Sequence, residues 1–138
     1  MTQIKSLGVL LVVFASLFVT IPVWAHHSNA AEFDASKEFT VRGTLTRVEW
    51  ENPHVYFYVD VKDNTGKVVT YAFEGHPPST FHRAGVTKDK FIIGQDVTVL
   101  AAPAKDGSKH LGYGKKVHYN SDGHDIYLWV TGLALPVN

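Results

Sequence analysis

Two histidines in succession, His26 and His27, follow Ala25, and a third, His54, stands behind Asn52-Pro53 in the run EWENPHVYFY. Imidazole nitrogen suits copper, zinc and nickel. If the chain is cut after Ala25, His26 gains a free α-amine with a pKa of about 8, from which a metal can displace the proton at neutral pH. That amine and the ring of the same residue close a chelate, and one more imidazole completes a three-nitrogen, T-shaped set suited to copper(II). His27 is adjacent, but neighbouring side chains tend to point apart. His54 is the better third ligand if the arm ahead of the fold returns to it. Glu49 and Glu51 flank Trp50 close by, and either could orient His54, as carboxylates commonly do for metal-bound imidazoles, or lie near the metal. A carboxylate beside an imidazole could equally serve as an acid–base pair. The bland alternatives are a polar start to a mature chain and a tight Asn-Pro turn followed by an exposed histidine.

A cut at Ala25 is expected from what precedes it. Met1 to Lys5 carries one positive charge, Leu7 to Ile21 is a long apolar run, Pro22 breaks it, and Val23 and Ala25 sit at the −3 and −1 positions of a cleavage site. These are the three parts of a secretory signal peptide. The competing reading is an uncleaved anchor, because the run approaches the length that spans a bilayer. The expected organisation is a signal peptide over 1–25, an irregular arm over 26–38, an OB-like β domain over 39–132 and a tail over 133–138. The chain has 13 Lys and Arg against 13 Asp and Glu. A near-neutral exported domain lacks the clustered cations that nucleic acid requires. With no cysteine, it rests on its core rather than on disulfides. Met1 is the single methionine and leaves with the signal, so the mature chain has no sulfur ligand and is ill suited to carry copper(I). All eight histidines follow Ala25.

A second constellation is aromatic. Alternation over His54–Val61 places Val55, Phe57, Val59 and Val61 on one face and His54, Tyr56, Tyr58 and Asp60 on the other. Tyr56 and Tyr58, with Trp50 and His76 nearby, could stack a sugar or another planar or apolar ligand, although tyrosines are also ordinary strand formers. His82, His110, His118 and His124 read as surface residues. His76 is the better candidate among the scattered histidines, because Glu74-Gly75-His76 lies at a strand end where loops gather. There is no GxSxG elbow, HExxH motif or phosphate-binding glycine loop, and GYGK at Gly112 is too short for one.

The elements that position these residues are mostly strands. Phe39 to Trp50 alternates but changes phase between Leu45 and Val48, which predicts a bend or bulge at Gly43 or at Thr46-Arg47. Asp63 to Gly66 is a hairpin turn, and the return strand points Val69, Tyr71 and Phe73 inward. Ser79 would cap a short helix bearing Phe81 and Ala84, ended by Gly85. A fourth strand follows the turn at Gly94, Lys105–Ser108 is a further turn, and a strand from Lys115 and a final strand flank a turn at Ser121–Gly123. The order β-β-β-(short α)-β-β predicts an all-β, small antiparallel OB-like barrel of five to six strands, with its helix between strands three and four. In such barrels the face of strands two and three is the common ligand platform.

AHHS at Ala25, EFD, VRGTLTRVEWENPHVYFYVDVKD, YAFEG, HRAG and GQDVTVLAAPAKDGS together resemble an uncharacterised bacterial family of small exported proteins holding a domain of unknown function. Its most specific pieces here are Ala25–Ser28, the block Glu49-Trp50-x-Asn52-Pro53-His54, and Pro103–Gly107. The resemblance covers about residues 25–128. It implies an exported β-barrel and repeats the histidine pair at the start of related chains, but it supplies no catalytic residue. One departure is the lack of a tryptophan in the segment after the helix.

The functional expectation is therefore a periplasmic or secreted binding protein that holds a metal ion, copper or zinc, through His26, His27 and His54 with Glu51 near. No membrane contact is expected after cleavage, and a periplasmic protein partner is an open expectation. The alternative is an adaptor that binds a non-metal ligand or a protein through the Tyr56/Tyr58 face. The enzymatic version, a copper-dependent oxidase, would need an open coordination position.

Overall fold

The alternation that begins at Phe39 builds a strand long enough to belong to two neighbours at once. The structure, a computed structural model, describes residues 29–128. A four-residue helix, α1 (Asn29–Glu32), leads into β1 (Phe39–Glu49), followed by β2 (Tyr56–Lys62) and β3 (Val68–Glu74). Helix α2 (Pro78–Arg83) and a 3-10 turn (Lys88–Lys90) come next, and then β4 (Asp96–Pro103), β5 (Leu111–Tyr119) and β6 (Asp125–Tyr127). The first half of β1 pairs with β4 from Phe39 to Thr44, and the second half with β2 from Thr44 to Glu49, both antiparallel. The register slips between Leu45 and Arg47. Thr46 is therefore the extra residue, and the phase change seen in the sequence is a bulge at that point.

The strand order is β3-β2-β1-β4-β5-β6, and a parallel pairing of β3 with β5 closes the first five strands into a barrel. This is the expected OB-like architecture, with α2 between β3 and β4 and with β6 as an added edge strand on β5. The inward face carries Val41, Leu45, Phe57, Val59, Phe73, Val97, Val99, Val117 and Tyr119. Phe81 of α2, together with Phe91, packs on Phe57 at one end of the barrel. Burying an apolar side chain of this size stabilises by about 1.5–3 kcal/mol, so the core is the main source of stability in a chain without disulfides. Among the described residues no helix is long and apolar enough to cross a membrane.

Three local expectations are revised. Pro77, not Ser79, precedes α2, no side chain caps it, and Ser79 lies within its first turn. Gly85 still ends the helix, at φ +73°. The strand expected from Lys115 begins four residues earlier, at Leu111, and takes in Gly112 and Gly114. The described part of the arm is not irregular. After α1, Phe33 bridges to Ala104 and is buried against Tyr113 and Ala102. The Asp34 amide donates to the Pro103 carbonyl, and the Lys105 amide to that of Glu32.

Candidate functional site

Asp63–Gly66 sets the geometry of the site. The Asp63 amide donates to the Lys67 carbonyl across three loop residues, with Gly66 at φ +86°, a common hairpin loop. From that turn the β2–β3 ladder runs without a slip to Tyr56 opposite Glu74. It continues past the named strands, where the Gly75 amide donates to the Val55 carbonyl and the Val55 amide to the His76 carbonyl. Two residues thus oppose one, a bulge that turns the chain into α2. A Cβ at Gly75 would lie 2.9 Å from Phe81 Cζ and 3.0 Å from Phe57 Cε2, so only glycine lets the corner sit on these rings.

Tyr56, Glu74 and Tyr113 form a row across β2, β3 and β5 on the outside of the barrel. Glu74 is nevertheless only 3% exposed, the one charged residue buried among the described residues. The arm covers the row. Phe33 packs on the Tyr113 ring at 5.5 Å between centroids, the Asn29 side chain comes close to the Tyr113 hydroxyl, and the Glu32 charge bears on Tyr56. Burial first, and then the neighbouring Glu74 charge, raises the Tyr113 hydroxyl well above the ordinary tyrosine range.

Glu74 uses both oxygens. Oε2 accepts from the Tyr56 hydroxyl at 2.7 Å, and Oε1 faces His54 Nδ1 at 2.5 Å. That second contact is an ion-pair approach without the alignment of a hydrogen bond, so Oε1 has no hydrogen-bond partner. Burial and the bond to Glu74 push the Tyr56 hydroxyl far up, so it stays a proton donor at neutral pH. With Nδ1 engaged by a carboxylate, Nε2 is the nitrogen left on His54 to act as an acceptor or metal ligand. His76 is half-buried, and its ring stands edge-on to Phe81 and Tyr113 at 6.0 and 5.6 Å. Burial, helped by His54 close by, lowers its pKa. Among the described residues, no group of three or more His, Asp or Glu side chains is arranged to hold a metal ion.

The residues singled out in the sequence separate in the structure. His54, Tyr56 and His76 come together, and the carboxylate on His54 is Glu74 rather than Glu49 or Glu51. Glu49 accepts from Tyr58 at 2.7 Å and pairs with Arg47 at 2.7 Å. Glu51 is exposed. Trp50 packs against the core beside Phe81 and Phe91. The guanidinium of Arg47 lies 3.8 Å over the Tyr58 ring, so one face of that ring is already taken. His26 and His27 lie outside the described residues.

The remaining histidines are at the surface or in local pairs. His82 stands edge-on to Trp50 and His110 to Tyr71. His118 faces Asp125 at 2.7 Å, and His124 faces Asp122 at 2.6 Å while stacking on Tyr119. Glu74 is the residue that sequence reasoning passed over. The signal for it was the hairpin register, which places Glu74 opposite Tyr56.

Residues 15–113 match DUF6152, a family of unknown function. No curated protein and no solved structure matches the chain.

Proposed function

The chain belongs to this family of unknown function, and from its own side chains we propose that it is an exported, periplasmic metal-binding protein, taking copper(II) ahead of zinc. The observation that carries the reading is the buried Glu74 carboxylate at His54 Nδ1. A carboxylate that fixes one imidazole nitrogen and leaves the other as donor is the usual support of a metal-bound histidine. The return of the arm supports it further. Asn29 reaches Tyr113, in the row beside Glu74. His26 precedes Asn29 by three residues, so the chain tethers it within about 10 Å of Asn29. His26 would supply its α-amine and ring and His54 its Nε2, with His27 as the alternative third imidazole. The aromatic-platform reading draws less support, because Tyr56 and Tyr58 commit their hydroxyls to Glu74 and Glu49, and Arg47 covers one face of Tyr58.

The test is export of the full chain, followed by N-terminal sequencing and copper(II) titration. The mature protein should begin at His26 and bind copper(II). A version with one extra residue ahead of His26 should bind at least about tenfold more weakly, a loss of about 1.4 kcal/mol. Equal, weak binding by both would remove the reading.

A further inference from the structure

Ile92 and Ile93, 49% and 51% exposed, stand side by side in the turn that leads into β4. The other large apolar side chains exposed among the described residues, Val68 and Tyr127, are single residues of β3 and β6, and single ones are ordinary. The pair is held out by a fixed backbone. The Phe91 amide donates to the Lys88 carbonyl at 3.1 Å, the Ile92 amide to the Tyr119 hydroxyl at 2.9 Å and the Gly94 amide to the Leu45 carbonyl at 2.7 Å. Phe91 itself is buried on Phe57, and Gly94 closes the turn at φ +88°, a conformation that glycine adopts readily. Just ahead, Lys88 and Lys90 lie exposed in the 3-10 turn, and Arg83 ends α2. From Arg83 to Gly94 the one acidic residue is Asp89. Asp122, near Tyr119, is engaged by His124.

We infer that this turn is a membrane-docking tip: Ile92 and Ile93 enter the boundary between headgroups and acyl chains, and Lys88 and Lys90 meet anionic headgroups. Apolar side chains beside cations are the pattern of segments that lie in a membrane interface, and each cation near an anionic surface adds to the attraction. Backbone polar groups carried toward hydrocarbon must be satisfied within the protein, and the amides of Phe91, Ile92 and Gly94 already are. A protein partner fits the tip less well. Specific protein interfaces cover about 800 Å² on each side and lean on tryptophan, tyrosine and arginine anchors, whereas this tip offers two aliphatic side chains. Contact of this kind runs against the expectation drawn from the sequence, and it is independent of the proposed metal site. The tip precedes Asp96 at the start of β4, and the arm is bonded to Pro103 at its end. The eight residues of that strand separate the two by about 25 Å.

The test is co-sedimentation of the exported chain with vesicles of phosphatidylcholine alone and of phosphatidylcholine mixed with phosphatidylglycerol. Native protein should partition onto the mixed vesicles, and less so as salt rises. Ile92→Ser/Ile93→Ser should lower that partition by at least about tenfold, and Lys88→Gln/Lys90→Gln by about as much. Urea midpoints should stay close to native, because these side chains are at the surface. All forms share one N-terminus, so the differences belong to the tip. The chain has no cysteine, so a polarity-sensitive fluorophore can be placed on Ile93→Cys or on Ser108→Cys, in the exposed turn beyond the far end of β4. The label at 93 should brighten on the mixed vesicles and the label at 108 should not. Absence of native partition onto the mixed vesicles overturns the inference. So does equal partition by native protein and Ile92→Ser/Ile93→Ser, or a label at 108 that brightens as much as the label at 93. Equal partition onto both kinds of vesicle, unmoved by salt, removes the role of Lys88 and Lys90. Self-association of native protein that Ile92→Ser/Ile93→Ser abolishes, without vesicle binding, would make the tip a contact between copies instead. Should a variant not fold, the two labels decide.

Discussion

Glu74→Gln isolates what the buried carboxylate does. The side chain is 3% exposed, and its two oxygens face two donors, the Tyr56 hydroxyl at 2.7 Å and His54 Nδ1 at 2.5 Å. A carboxylate accepts at both oxygens, whereas an amide has one oxygen and an NH2 group that only donates. If the amide oxygen keeps Tyr56, its NH2 group confronts Nδ1, and His54 must move its proton to Nε2, the nitrogen proposed to take the metal. The bond from Tyr56 also falls from the charge-assisted range, about 1.5–3 kcal/mol, to the neutral range, about 0.5–1.5 kcal/mol. Relief of a buried charge offsets part of that loss. Metal-free Glu74→Gln should therefore lose about 1 kcal/mol or less in urea unfolding, while copper(II) affinity drops about 10–100-fold, worth about 1.4–2.7 kcal/mol. Glu74→Ala should lose about 3 kcal/mol or more of stability, because the half-buried Tyr56 hydroxyl is left without its acceptor and a cavity opens. The reasoning is refuted if Glu74→Gln binds copper(II) as tightly as the native protein. It is also refuted if Glu74→Ala is no less stable than Glu74→Gln.

Phe33→Ala should release the arm. Phe33 is buried against Tyr113 and Ala102, and its loss should speed amide exchange at Asp34 and Lys105 while amides inside the β1–β4 ladder keep their protection. Copper(II) affinity should fall as well, although no ligand is changed, and unchanged affinity would separate the arm from the site. In Asp125, burial pulls the carboxyl pKa up, but hydrogen bonds from His118 and Lys116 outweigh it and hold the pKa below its ordinary value. A carboxyl held low in the folded state adds stability that is fully present above its unfolded pKa of about 3.9 and is lost as pH falls through the folded value. Asp125→Asn should therefore flatten the acid limb of the stability curve below about pH 4, as read by urea midpoints against pH. An acid limb identical to that of the native protein would show that this pair does not contribute.

The barrel was legible because its strands obey a period of two and bury one face. The phase change from Leu45 to Val48 marked the bulge at Thr46, and the turn at Asp63–Gly66 fixed the inward set Val55, Phe57, Val59 and Phe73. The start of β5 was not legible, because Gly112-Tyr113-Gly114 has the composition of a loop. Its glycines are there for contact: a Cβ at Gly112 would meet the Phe39 ring at 2.8 Å, and one at Gly114 would meet Leu128 at the same distance. Where strands close a small barrel, missing side chains are the packing feature, and a hydrophobicity pattern cannot register them. The arm escaped for a related reason. Its hold on the barrel combines backbone hydrogen bonds, lysine contacts to its carbonyls and to Glu38, and one aromatic ring, and bonds to backbone leave no trace in the side-chain type of the arm.

Glu74 escaped because local sequence gives no reason to bury it. It has the parity of an outward residue at the end of a strand, where a glutamate is ordinary. Its burial is a product of non-local pairing: β2 brings Tyr56, β5 brings Tyr113, and the arm from the far end of the chain lies over them. A carboxylate removed from water needs donors, and those that face it are a tyrosine hydroxyl and an imidazole nitrogen. The second of these leaves a further nitrogen on His54 at the mouth of the hairpin, close to His76. The same arm leads back along the chain toward His26 and His27, so on the proposed reading docking of the arm and assembly of the site would be one event. Loss of Phe33 should weaken both together.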